Sequence, residues 1–123
     1  MRTFFLLSLL LLAACGAAPA APPPGTGIEG RVSLGPSCPV VQVGSPCPDR
    51  PYQATLSVLD ARGREVLRFQ TDAAGEFRVA LAPGSSTLVP ETPGAFPHAP
   101  AQAFTVTAGR VTGLTVIYDS GIR

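Results

Sequence analysis

An all-β fold, a sandwich of seven short antiparallel strands, is what this sequence predicts. Three observations carry the prediction. Apolar and polar residues alternate over short stretches, the period of a half-buried strand. Turn chemistry separates the stretches at Asp60-Ala61-Arg62-Gly63, Thr71-Asp72-Ala73-Ala74-Gly75, Pro83-Gly84 and Ala108-Gly109. All 13 Gly and 14 Pro lie after residue 14, about a quarter of the 109 residues from Cys15 onward. Pro breaks helices and Gly weakens them, so a helical bundle is excluded.

The strands follow in order. Gly27–Leu34 alternates, with Ile28 and Val32 directed inward. Tyr52–Asp60 places Tyr52, Ala54, Leu56 and Val58 on one face and Gln53, Thr55 and Ser57 on the other. Arg64–Thr71 returns after a hairpin turn in which Gly63 supplies positive φ. Glu76–Leu81 alternates strictly, with Phe77, Val79 and Leu81 inward. Ser86–Val89 is fifth, Ala103–Thr107 sixth, and Arg110–Tyr118, rich in Val, Thr, Ile and Tyr, is seventh. Seven such strands at this spacing make a sandwich.

Charge excludes further classes. The chain has nine Arg, four Asp, four Glu and a net charge of +1, with no basic block. A nucleic-acid partner is not expected, because it needs a basic stripe. Without Lys, no lysine isopeptide, Schiff base or P-loop lysine can form; without Asn, there is no N-glycosylation sequon. The mean hydropathy of +0.30 owes much to the first 14 residues.

Those residues read as an export signal. Arg2 precedes an apolar run, Phe4 to Ala14, broken only by Ser8. A membrane span needs about 20 apolar residues, so the run is a signal peptide, residues 1–14. Leu12-Ala13-Ala14-Cys15 resembles the bacterial lipobox, which implies lipidation of Cys15 and cleavage before it. Two or three acyl chains, palmitate among them, give stable anchoring where one is marginal. The alternative is ordinary secretion, with Ala13-x-Cys15 as a small-residue cleavage site. Gly16 after the Cys, rather than Asp, favours the outer membrane if the source has one. Residues 15–27 then form a Pro/Ala/Gly-rich tether reaching roughly 35 Å at about 3.1 Å per residue. The domain proper is 28–123.

Thr71-Asp72-Ala73-Ala74-Gly75-Glu76-Phe77-Arg78-Val79-Ala80-Leu81-Ala82-Pro83-Gly84 resembles the T-D-x-x-G-x-F-x-v-x-L-x-P-G signature of carboxypeptidase regulatory-like domains. The resemblance spans residues 28–118 and implies a transthyretin-like (prealbumin-like) seven-strand sandwich. It implies no activity, since this fold carries structural, binding and accessory roles. The sequence is also similar to a bacterial secreted subgroup with G-P-x-C-P-V, P-C-P-D-[RK]-P and D-[ST]-G-I-R. Here these are Gly35–Val40, Pro46–Pro51 and Asp119–Arg123. Ser86 departs from the pattern, which has an aromatic there.

With Cys15 lipidated, Cys38 and Cys47 remain as an even pair in an exported domain, which reads as a disulfide. A metal site is the alternative, but two Cys and one His leave a tetrahedral zinc one ligand short, and no cofactor is expected. Gly35–Pro51 is a 17-residue connection with five Pro. Pro90–Pro100 is a second Pro-rich loop, carrying His98. In an alternating sandwich, the connections after strands one, three and five share one end. The disulfide loop, the Asp72 turn, the His98 loop and the chain end therefore cluster, opposite the tether. Asp49, Arg50, Asp72 and His98 are the candidate binding residues at this distal end. Each also has a bland reading. Asp49-Arg50 is a turn with an Arg clip onto a nearby carbonyl or Asp119, Asp72 a turn former, and His98 a loop histidine.

No catalytic residue is expected. Ser-His-Asp chemistry needs a positioned base, and the one His sits in a Pro-rich loop with no G-x-S-x-G motif. Hydroxyisourate hydrolases of transthyretin fold use more than one His. The expected function is a non-enzymatic, lipid-anchored interaction or structural module of the cell envelope, with a membrane, an envelope protein or a glycan as partner. The alternative is a carbohydrate- or peptide-binding module. A concave distal site with convergent polar groups distinguishes it from a flat surface or an open strand edge.

Overall fold

Alternation of this kind closes into two packed sheets, and the computed structural model, which describes residues 22–38 and 47–122, is all β. Its strands are β1 (Gly27–Gly35), β2 (Arg50–Pro51), β3 (Thr55–Leu59), β4 (Glu65–Gln70), β5 (Glu76–Ala80), β6 (Gly84–Pro90), β7 (Gln102–Val106) and β8 (Val111–Asp119). One sheet runs β8-β1-β5, with β2 beside the far half of β1; the other runs β4-β3-β6-β7.

The second predicted strand is divided. Arg50 and Pro51 pair with Leu34 and Ser33 in the first sheet, then the chain crosses through Tyr52–Ala54 and joins the second as β3. One expected feature needs correction. The sandwich is antiparallel except between its first and last strands: β1 and β8 pair in parallel over their whole length, Gly27 with Val111 through Gly35 with Asp119. Parity is the reason. If β2–β3 counts as one passage, seven alternating strands leave the first and last pointing the same way. When those two are neighbours, they can only pair in parallel.

The inward sets are largely as predicted. Ile28, Val32, Leu56 and Val58 are fully buried, joined by Leu88, Val116 and Tyr118, with Phe77 and Leu81 packed against them. Each large apolar side chain so buried stabilises the fold by about 1.5–3 kcal/mol. Tyr52 and Val79 are half-buried. Ser86 faces inward opposite Phe104, where the resembled pattern carries an aromatic. The surface dips there into a depression of about 520 Å³ lined by Ser86, Thr87, Ala103 and Phe104.

The Thr71–Gly75 turn explains its own sequence. Thr71 is buried, its N–H donating to the Ala54 carbonyl (2.8 Å) and its Oγ1 accepting from the Ala54 N–H (2.9 Å). The Thr71 hydroxyl donates to the Tyr52 carbonyl (3.4 Å). Thr71 thus satisfies backbone groups where the chain changes sheets. The Asp72 carboxylate accepts from the Glu76 N–H (2.8 Å), and the Gly75 N–H donates to the Asp72 carbonyl (2.9 Å).

Strand direction gives the sandwich two poles. At the entry pole Thr26 is buried, taking hydrogen bonds from the Gly109 N–H on Oγ1 (2.8 Å) and the Leu81 N–H on its carbonyl (3.3 Å). Thr26, assigned above to the tether, is therefore part of the sandwich, and Gly27, placed above both in the tether and at the start of the first strand, belongs to the strand. The two described ends of the disulfide connection (36–38 and 47–49), the 71–75 turn, the 91–101 loop and the end of β8 lie at the far pole. The β7–β8 seam is stitched by Gln102 Nε2 donating to the Thr115 carbonyl (3.0 Å) and Thr112 Oγ1 to the Thr105 carbonyl (3.1 Å).

Candidate functional site

The far pole is held by three fastenings. The Cys38–Cys47 disulfide is formed, closing the 36–49 connection. His98 and Asp119 form an isolated antiparallel bridge, the His98 N–H donating to the Asp119 carbonyl (3.0 Å) and the Asp119 N–H to the His98 carbonyl (2.6 Å). The chain end then folds back onto β1. Ser120 donates from its N–H to the Gly35 carbonyl (2.9 Å) and from Oγ to the Pro36 carbonyl (2.7 Å). Asp119 Oδ1 accepts from the Gly121 N–H (2.9 Å), and the Phe96 ring lies directly over Gly121. The Gly35-Pro36 and Asp119-Ser120-Gly121-Ile122 motifs are thus two sides of one contact.

Each predicted residue has a place here. Asp49 sets its carboxylate over Gly35, where a side chain at residue 35 would collide with it. Arg50 is exposed and pairs with Leu34. Asp72 caps its turn and lines the rim of a shallow depression, of about 1020 Å³, over the outer face of the first sheet. There the register sets Glu29 opposite Arg78 and Arg31 opposite Glu76, and Arg31 Nη2 lies 2.7 Å from Glu76 Oε1. His98 is exposed and acts through its backbone. Cys15 lies outside the described residues. All four distal candidates share the pole, as the strand count requires, in separate local roles: a cap, a paired strand, a turn and a bridge. Among the described residues, no group of three or more His, Cys, Asp or Glu gathers to hold a metal ion.

Sequence reasoning missed a cleft at the same pole, lined by Tyr52, Gln53, Ala54, Thr55, Gln70, Glu91, Thr92 and Pro93, with a volume of about 300 Å³. Its floor is the last cross-strand row of the second sheet. Thr55 pairs with Gln70, and the Glu91 N–H donates to the Thr55 carbonyl (2.9 Å). Gln53 Nε2 donates to the Thr71 carbonyl (3.0 Å), which fixes the amide. Glu91 Oε1 accepts from Arg68 Nη2 at 2.5 Å, a bond that raises the guanidinium pKa further above its already high value. The Tyr52 ring rests on the ring of Tyr118, centroids 4.8 Å apart and planes at 58°.

Tyr118 anchors the cleft from beneath, its hydroxyl donating to the Glu91 carbonyl (2.8 Å). Burial above all, with Tyr52 and Glu91 nearby, pushes its pKa up to about 12. In the unfolded chain the phenol ionises near pH 10. The native state holds this proton more tightly, so the associated stability is full below pH 10 and falls as the pH rises through 12. The chain has no Lys to titrate in the same range. The unfolding free energy from urea titrations is therefore expected to drop by about 2 kcal/mol between pH 10 and 12. Tyr118→Phe should flatten most of that slope, and a wild-type profile flat over the range would contradict the assignment.

No family model matches the chain, and no curated protein does. Among solved structures, the fold is similar to that of the Bacillus anthracis TIE protein. The identity is 20%, the TM-score 0.54, and the match covers 78% of this chain and 18% of that one. It is also similar to GBS52, the minor pilin of the Gram-positive pathogen Streptococcus agalactiae. There the identity is 12% and the TM-score 0.59, with 78% of this chain and 44% of that one covered. The chain spans less than half the length of either. At such identities the likeness is one of fold, an all-β sandwich.

Proposed function

We propose that this chain is a non-enzymatic surface module of the cell envelope, anchored by lipid on Cys15 and presenting its far pole to a partner. The observation that carries this reading is polarity. The chain enters the sandwich at Thr26, while the disulfide, the 91–101 loop and the chain end gather at the opposite pole. An anchor upstream of Thr26 leaves that pole facing outward. A fold shared with a minor pilin supports a structural or adhesive surface role. The 71–84 signature, whose Thr, Asp and Gly each do structural work, supports a place among carboxypeptidase regulatory-like domains. The second reading, a carbohydrate- or peptide-binding module, is favoured by the Tyr52–Glu91 cleft.

Anchoring is tested by fractionation. The wild-type chain is expected in the membrane pellet, released by detergent and not by salt. Cys15→Ser should move the bulk of it to the soluble fraction or leave the signal uncleaved, because one protein carries its whole membrane affinity in the acyl chains. A Cys15→Ser protein whose signal has been removed, judged by its size, and which still pellets and is solubilised only by detergent would refute the lipid anchor.

A further inference from the structure

We propose that the cleft between Tyr52 and Glu91 binds a neutral, hydroxyl-rich ligand, a saccharide unit, as the recognition site of the surface module described above; the proposal rests on that reading. The lining chemistry selects the ligand class. Two amides (Gln53, Gln70), a carboxylate (Glu91) and two hydroxyls (Thr55, Thr92) share the lining with one aromatic side chain, Tyr52. Planar amides and carboxylates can each address adjacent hydroxyls on a sugar, and an aromatic side chain presents an apolar face to its C–H surface.

Charge narrows the choice. Glu91 is the one ionised group in the lining, and Arg68 compensates it at 2.5 Å. A cationic peptide would have to displace Arg68, and an anionic ligand would meet Glu91. A neutral ligand does neither. Size narrows it again: about 300 Å³ is at the lower end of ligand clefts, which span about 300–1,000 Å³, and suits one or two sugar rings. The polar groups are also in place before binding. Gln53 is fixed by the Thr71 carbonyl, Glu91 by Arg68, and Tyr52 is seated on Tyr118. Little ordering is then required of the protein on binding. Within the described residues the Gln70 side chain makes no hydrogen bond, so its amide is available to a ligand. The charged depression on the first sheet lacks any aromatic wall except the inward-directed Phe77, and is a poorer candidate for sugars.

The test is titration of the intact, isotope-labelled chain with glucose, galactose, N-acetylglucosamine, maltose, cellobiose and lactose, followed by amide shifts. A proline-rich peptide and glycerol are the contrast arms. At least one sugar is expected to move the amides of Tyr52, Gln53, Gln70 and Thr92 with a millimolar Kd. Gln70→Ala, at an exposed position, should weaken that binding about fivefold or more, as expected for a lost hydrogen bond, with no change in the melting curve. Glu91→Gln provides a second variant that keeps the shape. The proposal is overturned if no sugar moves these amides at tens of millimolar, if the peptide alone does, if glycerol moves them as well as any sugar, or if both variants bind like wild type. Such a failure leaves the surface-module reading intact as long as the anchored chain still captures envelope material through its far pole. Loss of that capture would remove both.

Discussion

Gly75→Ala is expected to lower the unfolding free energy by about 3–5 kcal/mol, a large part of the 5–15 kcal/mol typical of a domain. Gly75 sits at φ +74°, where an L side chain costs about 1–2 kcal/mol. A Cβ there would lie 2.1 Å from the Val32 carbonyl oxygen, which is backbone and cannot swing away. That carbonyl accepts from the Tyr52 N–H (3.1 Å), and the Val32 N–H donates to the Gly75 carbonyl (2.7 Å). Relief of the clash therefore disturbs two hydrogen bonds, each worth about 0.5–1.5 kcal/mol, at the joint where β1, β2 and β5 meet. Gly63 provides the control. It has nearly the same dihedral, φ +78°, and nothing within 4 Å of a Cβ, so Gly63→Ala is expected to cost only the conformational part, about 1–2 kcal/mol. Urea denaturation of both variants checks the comparison. Equal losses would show that the turn tolerates a side chain and that the close approach at Val32 is not constraining.

Removal of the disulfide is the second large effect. Cys38→Ser/Cys47→Ser opens a loop of about ten residues, which the chain-entropy account values at about 2.5–3 kcal/mol. For a domain of this size, that corresponds to a fall in Tm of about 10–20 °C. The fold should persist, because the core of Ile28, Val32, Leu56, Val58, Leu88, Val116 and Tyr118 draws no side chain from the loop. The damage should be local. Asp49 packs over Gly35, and β2 leans on the same stretch of β1, so amide protection should fall first at Ser33, Leu34 and Arg50. Calorimetry of the oxidised and doubly substituted proteins decides the matter. A Tm change within about 3 °C would mean that Pro36, Pro48 and Pro51 already restrain the open chain.

What could be read in the sequence, and what could not, follows from the range of the signal. The faces of β1, β3 and β5 are local properties: Leu56 and Phe77 each stand two residues from another inward side chain, and Ile28 stands four from Val32 with Gly30 between them. The Asp72 turn is local too, and so is the alternation that brings the loops to one pole. The parallel β1–β8 pair is not, because alternation orders the directions of strands and not their neighbours. The crossing of Tyr52–Ala54 between sheets is likewise hidden, since an alternating segment reads the same whether or not it changes partners. The cleft is the least legible feature. Tyr52, Gln70 and Glu91 come from three segments, and each polar residue among them stands at an outward position like any solvated one. His98 drew notice for its imidazole, whereas the structure employs its backbone.

If the far pole is the recognition face of an anchored module, the orientation in which the chain is coupled to a bead should decide what it captures. One preparation, residues 15–123 produced without the export signal so that Cys15 is not acylated, is attached to beads through the Cys15 thiol, with Cys38 and Cys47 in their disulfide. A second carries Cys15→Ser and is attached through a tag after Arg123, which places the bead against the far pole. Both are incubated with isolated walls and membranes. The Cys15-coupled chain is expected to capture envelope material, and the tag-coupled one about tenfold less or lower, because the bead covers the site. Equal capture in both orientations, or capture by the tag-coupled chain alone, would place recognition elsewhere on the sandwich and contradict that expectation.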